Sequence, residues 1–368
     1  MNVLVIGNGF DLAHDLPTTY FDFIQFVKCV KILEKKDSVE SLKQALELEE
    51  ADKRIKEYLI KENIFFKIKN KEDKFLEEFL RLISNNVWIE YFESKTNSKE
   101  KKWIDFENEI LQVIKELSIT TFNPPTEDRK GRNPIRIIVD RCDNNFNNLN
   151  GRERVEEYIQ FIYNHLSNLI RCLEIYISKF IEEIDINKEF NYIKELNVDK
   201  ILSFNYSNTY NKIYNKTKEI EYDFIHGEAI LNRDIEDNNM VLGIDEYLPS
   251  NSKDSDLDFV EFKKYYQRIY KETGLNFGEW INQIQCNDYV NNIYIIGHSL
   301  GITDKDILKQ IINCRNREGD YVKVTIYYHN EQSHKDLIKN VIKIIGQDEL
   351  KDRFHGKDKT IIFRKIEK

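Results

Sequence analysis

Val3–Ile6 is a short, unbroken apolar run that stops at Gly7. A run without alternation reads as a central parallel strand covered on both faces. From Phe21 to about Leu196 the period changes. Apolar residues recur at three- and four-residue spacings in FDFIQFVKCVKIL, KFLEEFLRLI and WIDFENEILQVIKEL. The same spacing runs through RVEEYIQFIYNHLSNLIRCLEIYISKFIEEI, which predicts one long helix or a helical pair. Between these, Thr126 to Gly151 is polar, rich in Asn and Arg, and reads as a loop with a short strand at IRIIV. Beyond Lys200 the texture changes again. KILSF, YDFIH, MVLGI, NIYIIG, VKVTIYY and TIIFRKI read as strands, and DKDILKQIINC and SHKDLIKNVIKIIG as helices between the last of them.

This order predicts an α/β protein: a Rossmann-like parallel sheet built from residues 1–20 and 197–368, with residues 21–196 as an all-helical insertion after the first β-loop-α unit. The stretch PSNSKDSDLD near residue 250 reads as an exposed loop or lid. The formal net charge of −9 gives no global pull toward nucleic acid, so a nucleic-acid partner is not expected. Five scattered cysteines without a C-x-x-C pair predict neither a zinc site nor a disulfide framework and suit a reducing cytoplasm. No apolar run is long enough for a membrane span.

Candidate chemistry gathers at the ends of the predicted strands. Gly7-Asn8-Gly9-Phe10-Asp11 follows the first strand, where glycines admit a phosphate and a helix N-terminus faces it. Phe204-Asn205-Tyr206-Ser207 follows KIL, with Asn205 the foremost ligand candidate, and His226-Gly227 ends YDFI with an imidazole suited to acid–base work. Gly297-His298-Ser299-Leu300-Gly301 and Asp304 follow NIYII. One reading of that segment is a second loop lining a nucleotide, with His298 or Ser299 near ribose or phosphate. The other is a G-x-S-x-G nucleophile elbow with Ser299 as nucleophile and Asp320 or Asp336 and His355 as its partners. In the helical region, Asp105 and Glu107 of WIDFENE are either an exposed acidic face or a carboxylate site reaching the cleft. No metal pattern is present in the sequence.

Taken together, VIGNGFDLAHDLPTTY, WIDFE, FNYSNT, IHG and IIGHSLGITD, in this order over nearly the whole chain, resemble the AbiH family of bacterial phage abortive-infection proteins. The resemblance implies an antiviral effector released by a phage-derived trigger. The same segments also look like a diverged sirtuin-type NAD site: Gly7-Asn8-Gly9 with Leu16-Pro17, Phe204-Asn205-Tyr206, His226-Gly227 and Gly297-His298-Ser299. Asn8, Asp11, Ser207 and Asn208 depart from that pattern, and the sirtuin zinc module is missing, which sets protein deacylation aside.

What the resemblance implies is hydrolysis of NAD⁺, with NAD⁺ as substrate and no metal. In that reading Asn205, His226 and Asp11 are catalytic. Gly7, Asn8, Gly9, Phe10, Tyr206, Gly227, Gly297, His298, Ser299 and Asp304 bind the nucleotide. The alternatives are a nucleotide-sensing module without turnover, a Ser299 esterase, and a nuclease using Asp11, Asp105 and Glu107. A homo-oligomer formed through the long helices is a further expectation.

Overall fold

The apolar run Val3–Ile6 splits by parity between two cores. In the computed structural model of the chain, Val3 and Val5 join one buried cluster with Leu202, Ile295, Val324 and Leu308, while Leu4 and Ile6 join another with Phe10, Ile193, Ile201 and Tyr210. Both faces of the strand are therefore covered, and alternation vanishes from the sequence because both parities are apolar. The structure describes residues 1–96, 104–122, 136–146, 151–215, 220–231, 235–244, 258–286, 291–355 and 359–366. Trp103 and most of the loop expected near residue 250 lie outside them.

The sheet has six strands, β1 (Asn2–Ile6), β2 (Lys200–Ser203), β3 (Glu221–Phe224), β4 (Asn292–Ile296), β5 (Lys323–Tyr328) and β6 (Ile361–Lys365), in the order β3-β2-β1-β4-β5-β6. Every pairing is parallel. This is the Rossmann order, whose ligand crevice lies outside the carboxyl ends of the strands flanking the reversal, here β1 and β4. The register matters for function. Ile6 pairs with both Ser203 and Ile296, and Ser203 pairs with Phe224. Strands β3, β2, β1 and β4 thus end level, and the second residue beyond each end is Asn8, Asn205, His226 or His298.

Two compact units make up the chain: residues 1–16, 184–228 and 272–368 with the sheet, and residues 17–183 with 229–271, which are helical. In the helical unit, the helix Tyr20–Glu34 starts at a capping box in which Thr19 and Asp22 satisfy each other's backbone N–H groups. The long stretch of three- and four-residue spacing forms a single 29-residue helix, Gly151–Lys179, rather than a helical pair. Its buried Arg171 forks onto Glu78 at 3.0 and 3.1 Å and also binds Glu174. Glu174, fully buried, accepts in addition from the Ile230 N–H and the Asn238 amide, tying both residues to this helix.

Two expected strands are not strands. IRIIV lies largely in a helix, Arg136–Phe146, because Ile138 and Cys142, four residues apart, bury one face of it. Packing overrides the β-branched propensity there. MVLGI forms no sheet strand. The Gln267 side chain takes the place of a neighbouring strand, accepting from Leu242 N–H at 3.1 Å and donating to Leu242 C=O at 3.0 Å, while Ile244 pairs with residues 262–264. Gly243 sits so close to Phe262 that a Cβ would lie 2.1 Å from its carbonyl oxygen. No described helix is long and apolar enough to cross a membrane.

Candidate functional site

The loops after β1 and β4 interlock through glycine. Gly9 N–H donates to Gly297 C=O at 2.8 Å, and Gly7 N–H to Ile296 C=O at 3.3 Å. A Cβ on Gly297 would stand 2.1 Å from Phe10 N, one on Gly9 2.7 Å from Gly297 O, and one on Gly7 2.8 Å from His298 Cα. Gly297 also has φ +69°, a conformation that glycine alone adopts without penalty. The first use of these glycines is to admit another loop. Two N–H groups at the start of α1 (Asn8–Ala13) are engaged within the protein, since Phe10 N–H also donates to Gly7 C=O at 2.8 Å.

Asn205 ties the β2 loop to this pair. Its Nδ2 donates to Gly7 C=O at 3.1 Å, and its own backbone is gripped by the Ser203 hydroxyl. Asp11, almost fully buried, accepts a short hydrogen bond from Ser207, and Thr209 donates to Ser207 at 3.1 Å. His14, inside the same first motif, is fixed in one neutral form. Its Nδ1 donates to Phe10 C=O at 2.7 Å, and its Nε2 accepts from Tyr214 Oη at 2.8 Å, which in turn accepts from Phe190 N–H. Burial holds the His14 pKa below its ordinary value.

His226 follows β3 in a tight turn closed by Gly227, which has φ +79° and donates to Phe224 C=O. A strap of residues 273–274 clamps that turn: Thr273 donates to Phe224 C=O, and a Cβ on Gly274 would meet Ile225 O at 2.8 Å. His226 Nε2 lies 3.0 Å from Asp304 Oδ1. His298 Nε2 lies 3.7 Å from Asp304 Oδ2, beyond hydrogen-bond length, so one carboxylate bonds the first imidazole and stands against the second. All three are buried, and the Phe204 ring meets both imidazoles edge-on, at 5.5 and 4.3 Å between centroids. A buried carboxylate on an imidazole fixes its tautomer and orientation, the arrangement of a general acid–base histidine.

Of the residues singled out in the sequence, Gly7, Gly9, Asn205, His226, Gly227, Gly297, His298 and Asp304 thus stand at one edge of the sheet, with Asp11 bonded to the β2 loop. Asn8 and Ser299 are exposed there and Tyr206 is half-buried. Ser299 does not sit in a nucleophile elbow. The next α-helix begins only at Lys305, and the left-handed backbone falls on Leu300, at φ +55°. Asp320 and His355 precede β5 and β6, which places them toward the amino ends of a parallel sheet, away from Ser299.

Asp105 and Glu107 belong to the helical unit and have structural partners. Asp105 accepts from Asn108 N–H at the start of the helix Phe106–Phe122, and Glu107 pairs at 2.7 Å with the fully buried Lys264. Phe106 between them stacks on Tyr20 and Phe92 at 4.2 and 3.8 Å, so Ile104 and Phe106 of this motif pack the helical core. Sequence reasoning placed Asp304 on the nucleotide and overlooked Glu228, which is half-buried, two residues beyond His226, and accepts from Asn208 Nδ2 at 3.2 Å. An acidic residue directly after His-Gly at a strand end was the available signal.

No curated protein and no solved structure matches the chain. A family profile described as bacteriophage abortive infection AbiH matches residues 3–328, which span the sheet's first five strands and the whole helical unit. The chain therefore belongs to the AbiH family of bacteriophage abortive-infection proteins.

Proposed function

We propose that this abortive-infection protein acts by hydrolysing the N-glycosidic bond of NAD⁺ to nicotinamide and ADP-ribose. The observation that carries the reading is the buried His226–Asp304 pair beside Asn205 at the carboxyl ends of β1–β4, where open α/β sheets bind nucleotides. Nicotinamide leaves as a neutral ring when the C1′–N bond breaks and its electron pair stays on nitrogen. The ribose then carries oxocarbenium-like charge until a water oxygen bonds to C1′ and a proton is lost. His226, held by Asp304, takes that proton, which suits a histidine working near neutral pH. Glu228, two residues beyond this imidazole in the chain and bonded to Asn208, supplies negative charge toward the developing cation.

The glycine loops form the floor of the proposed site. Because Gly9 and Phe10 N–H already have protein acceptors, we assign polar contacts with the pyrophosphate to the exposed side chains of Asn8 and Ser299. Asp11 acts one step back, holding Ser207 and with it the Asn205 loop.

The test is NAD⁺ consumption by Asn205→Ala and His226→Ala, each expected to abolish it. His226→Gln accompanies them, because a glutamine amide can still donate to Asp304 while it cannot titrate. A folded His226→Gln protein that consumes NAD⁺ at the wild-type rate removes His226 from the chemistry.

A further inference from the structure

The state of His298 can be read from its partners. Leu300 N–H donates to His298 Nδ1 at 2.9 Å. An amide N–H only donates, so Nδ1 carries a lone pair and the neutral ring's proton sits on Nε2. That Nε2 faces Asp304 Oδ2 at 3.7 Å, while the other oxygen of the same carboxylate is held by His226 at 3.0 Å. Leu300 itself has φ +55°, a strained backbone for a side-chain-bearing residue, and the His298 acceptor is what anchors it. Only 8% of His298 is exposed, so both ring nitrogens face protein. Two further carboxylates among the described residues at this edge have partners of their own: Asp11 on Ser207 and Glu228 on Asn208.

We propose that His298 is a positioning residue for His226 that works through Asp304, and that it makes no contact with the nucleotide. It does two separable things. Nδ1 pins the β4 loop at Leu300, and Nε2–H shares the charge of Asp304. Removing that N–H dipole, 3.7 Å from the carboxylate, leaves more of its negative charge on His226, which then keeps its proton to higher pH. The kinetic consequence rests on the NAD⁺ reading above, whereas the ring states do not.

Two substitutions divide the roles. In His298→Asn, the Asn Oδ1 stands near the place of Nδ1 and still accepts from Leu300, but the donor toward Asp304 is gone. In His298→Gln, the amide nitrogen stands near the place of Nε2 and the loop acceptor is gone. The experiment is long-range ¹H–¹⁵N NMR of the full chain with imidazole-labelled histidine, of which there are only 7 to assign. The expected wild-type spectrum shows His298 protonated on Nε2. The His226 titration midpoint should rise by about half a pH unit or more in His298→Asn, and stay at its wild-type value in His298→Gln.

In NAD⁺ consumption the limb of the pH profile set by His226 moves with that midpoint in His298→Asn, and KM is unchanged. A proton on Nδ1 of His298 in the wild type, or equal His226 midpoints in the two variants, overturns the proposal. So does a raised KM with an unmoved midpoint, which would put His298 against the substrate. If the protein consumes no NAD⁺ at all, the glycosidic reading fails and the imidazole titrations still decide the role of His298.

Discussion

Gly297→Ala tests whether the glycine loops are joined to each other in the way the distances require. The new methyl would meet Phe10 N at 2.1 Å and Gly9 C at 2.5 Å, and both are backbone atoms that no rotamer change can move. The left-handed conformation at φ +69° adds about 1–2 kcal/mol for any residue with a Cβ. Forcing the loops apart adds about 1–3 kcal/mol, the usual cost of overpacking. The sum, roughly 2–5 kcal/mol, is a large part of the ~5–15 kcal/mol that holds a domain folded. For a unit of this size it corresponds to a fall in Tm of about 4–20 °C. Gly319→Ala is the control, because Gly319 has φ +87° but a methyl added there would meet nothing within 4 Å, so it carries only the conformational part. Urea unfolding and thermal melts of both variants give the comparison. Equal losses for the two substitutions would refute the interlock and return Gly297 to the role of a ligand-facing glycine.

Further outcomes follow from the same geometry. Because His14 is buried neutral with its pKa lowered, the unfolded chain binds the proton more readily, so the stability of the sheet unit is full above pH ~6.5 and falls as the pH drops below it. His14→Ala should cost about 2–4 kcal/mol at neutral pH, through a lost packed ring and a stranded Tyr214 hydroxyl, and should flatten the pH dependence of urea unfolding between about pH 5 and 7. In the helical unit, Arg171→Leu strands Glu174 and Glu78 and should destabilise by about 3–5 kcal/mol. Replacing Arg171, Glu78 and Glu174 together by apolar residues should recover part of that loss, as chemical denaturation would show.

The sheet was legible because its strands announce themselves by what they lack. Val3–Ile6 and Ile293–Ile296 show no alternation, and each ends at a glycine. The long helix Gly151–Lys179 was legible from unbroken three- and four-residue spacing. MVLGI misleads because its strand-like apolar run is satisfied by the side chain of Gln267, a partner that no local pattern reveals. IRIIV misleads because one buried face, Ile138 and Cys142, outweighs the β-branched propensity of the run.

Strand ends were enough to place His226, His298 and Asn205 along one sheet edge, since the register that brings them level depends on where each apolar run stops. The partnership of Asp304 with both histidines was not legible. Its bond to His226 joins residues 78 positions apart in the chain, and spacing carries no information about such a contact. The carboxylates of WIDFE look like chemistry in the sequence, yet they cap a helix and neutralise a buried lysine, because helix N-termini and buried charges select the same side chains that catalysis does.

The central claim, that the edge built by β1–β4 cuts NAD⁺, is tested most directly by following NAD⁺, nicotinamide and ADP-ribose by mass spectrometry in cells that express the chain through a phage infection. NAD⁺ should fall as nicotinamide and ADP-ribose rise in equal amounts, and the change should be lost in cells carrying His226→Gln. Wild-type cells that arrest the phage while their NAD⁺ stays constant would contradict it.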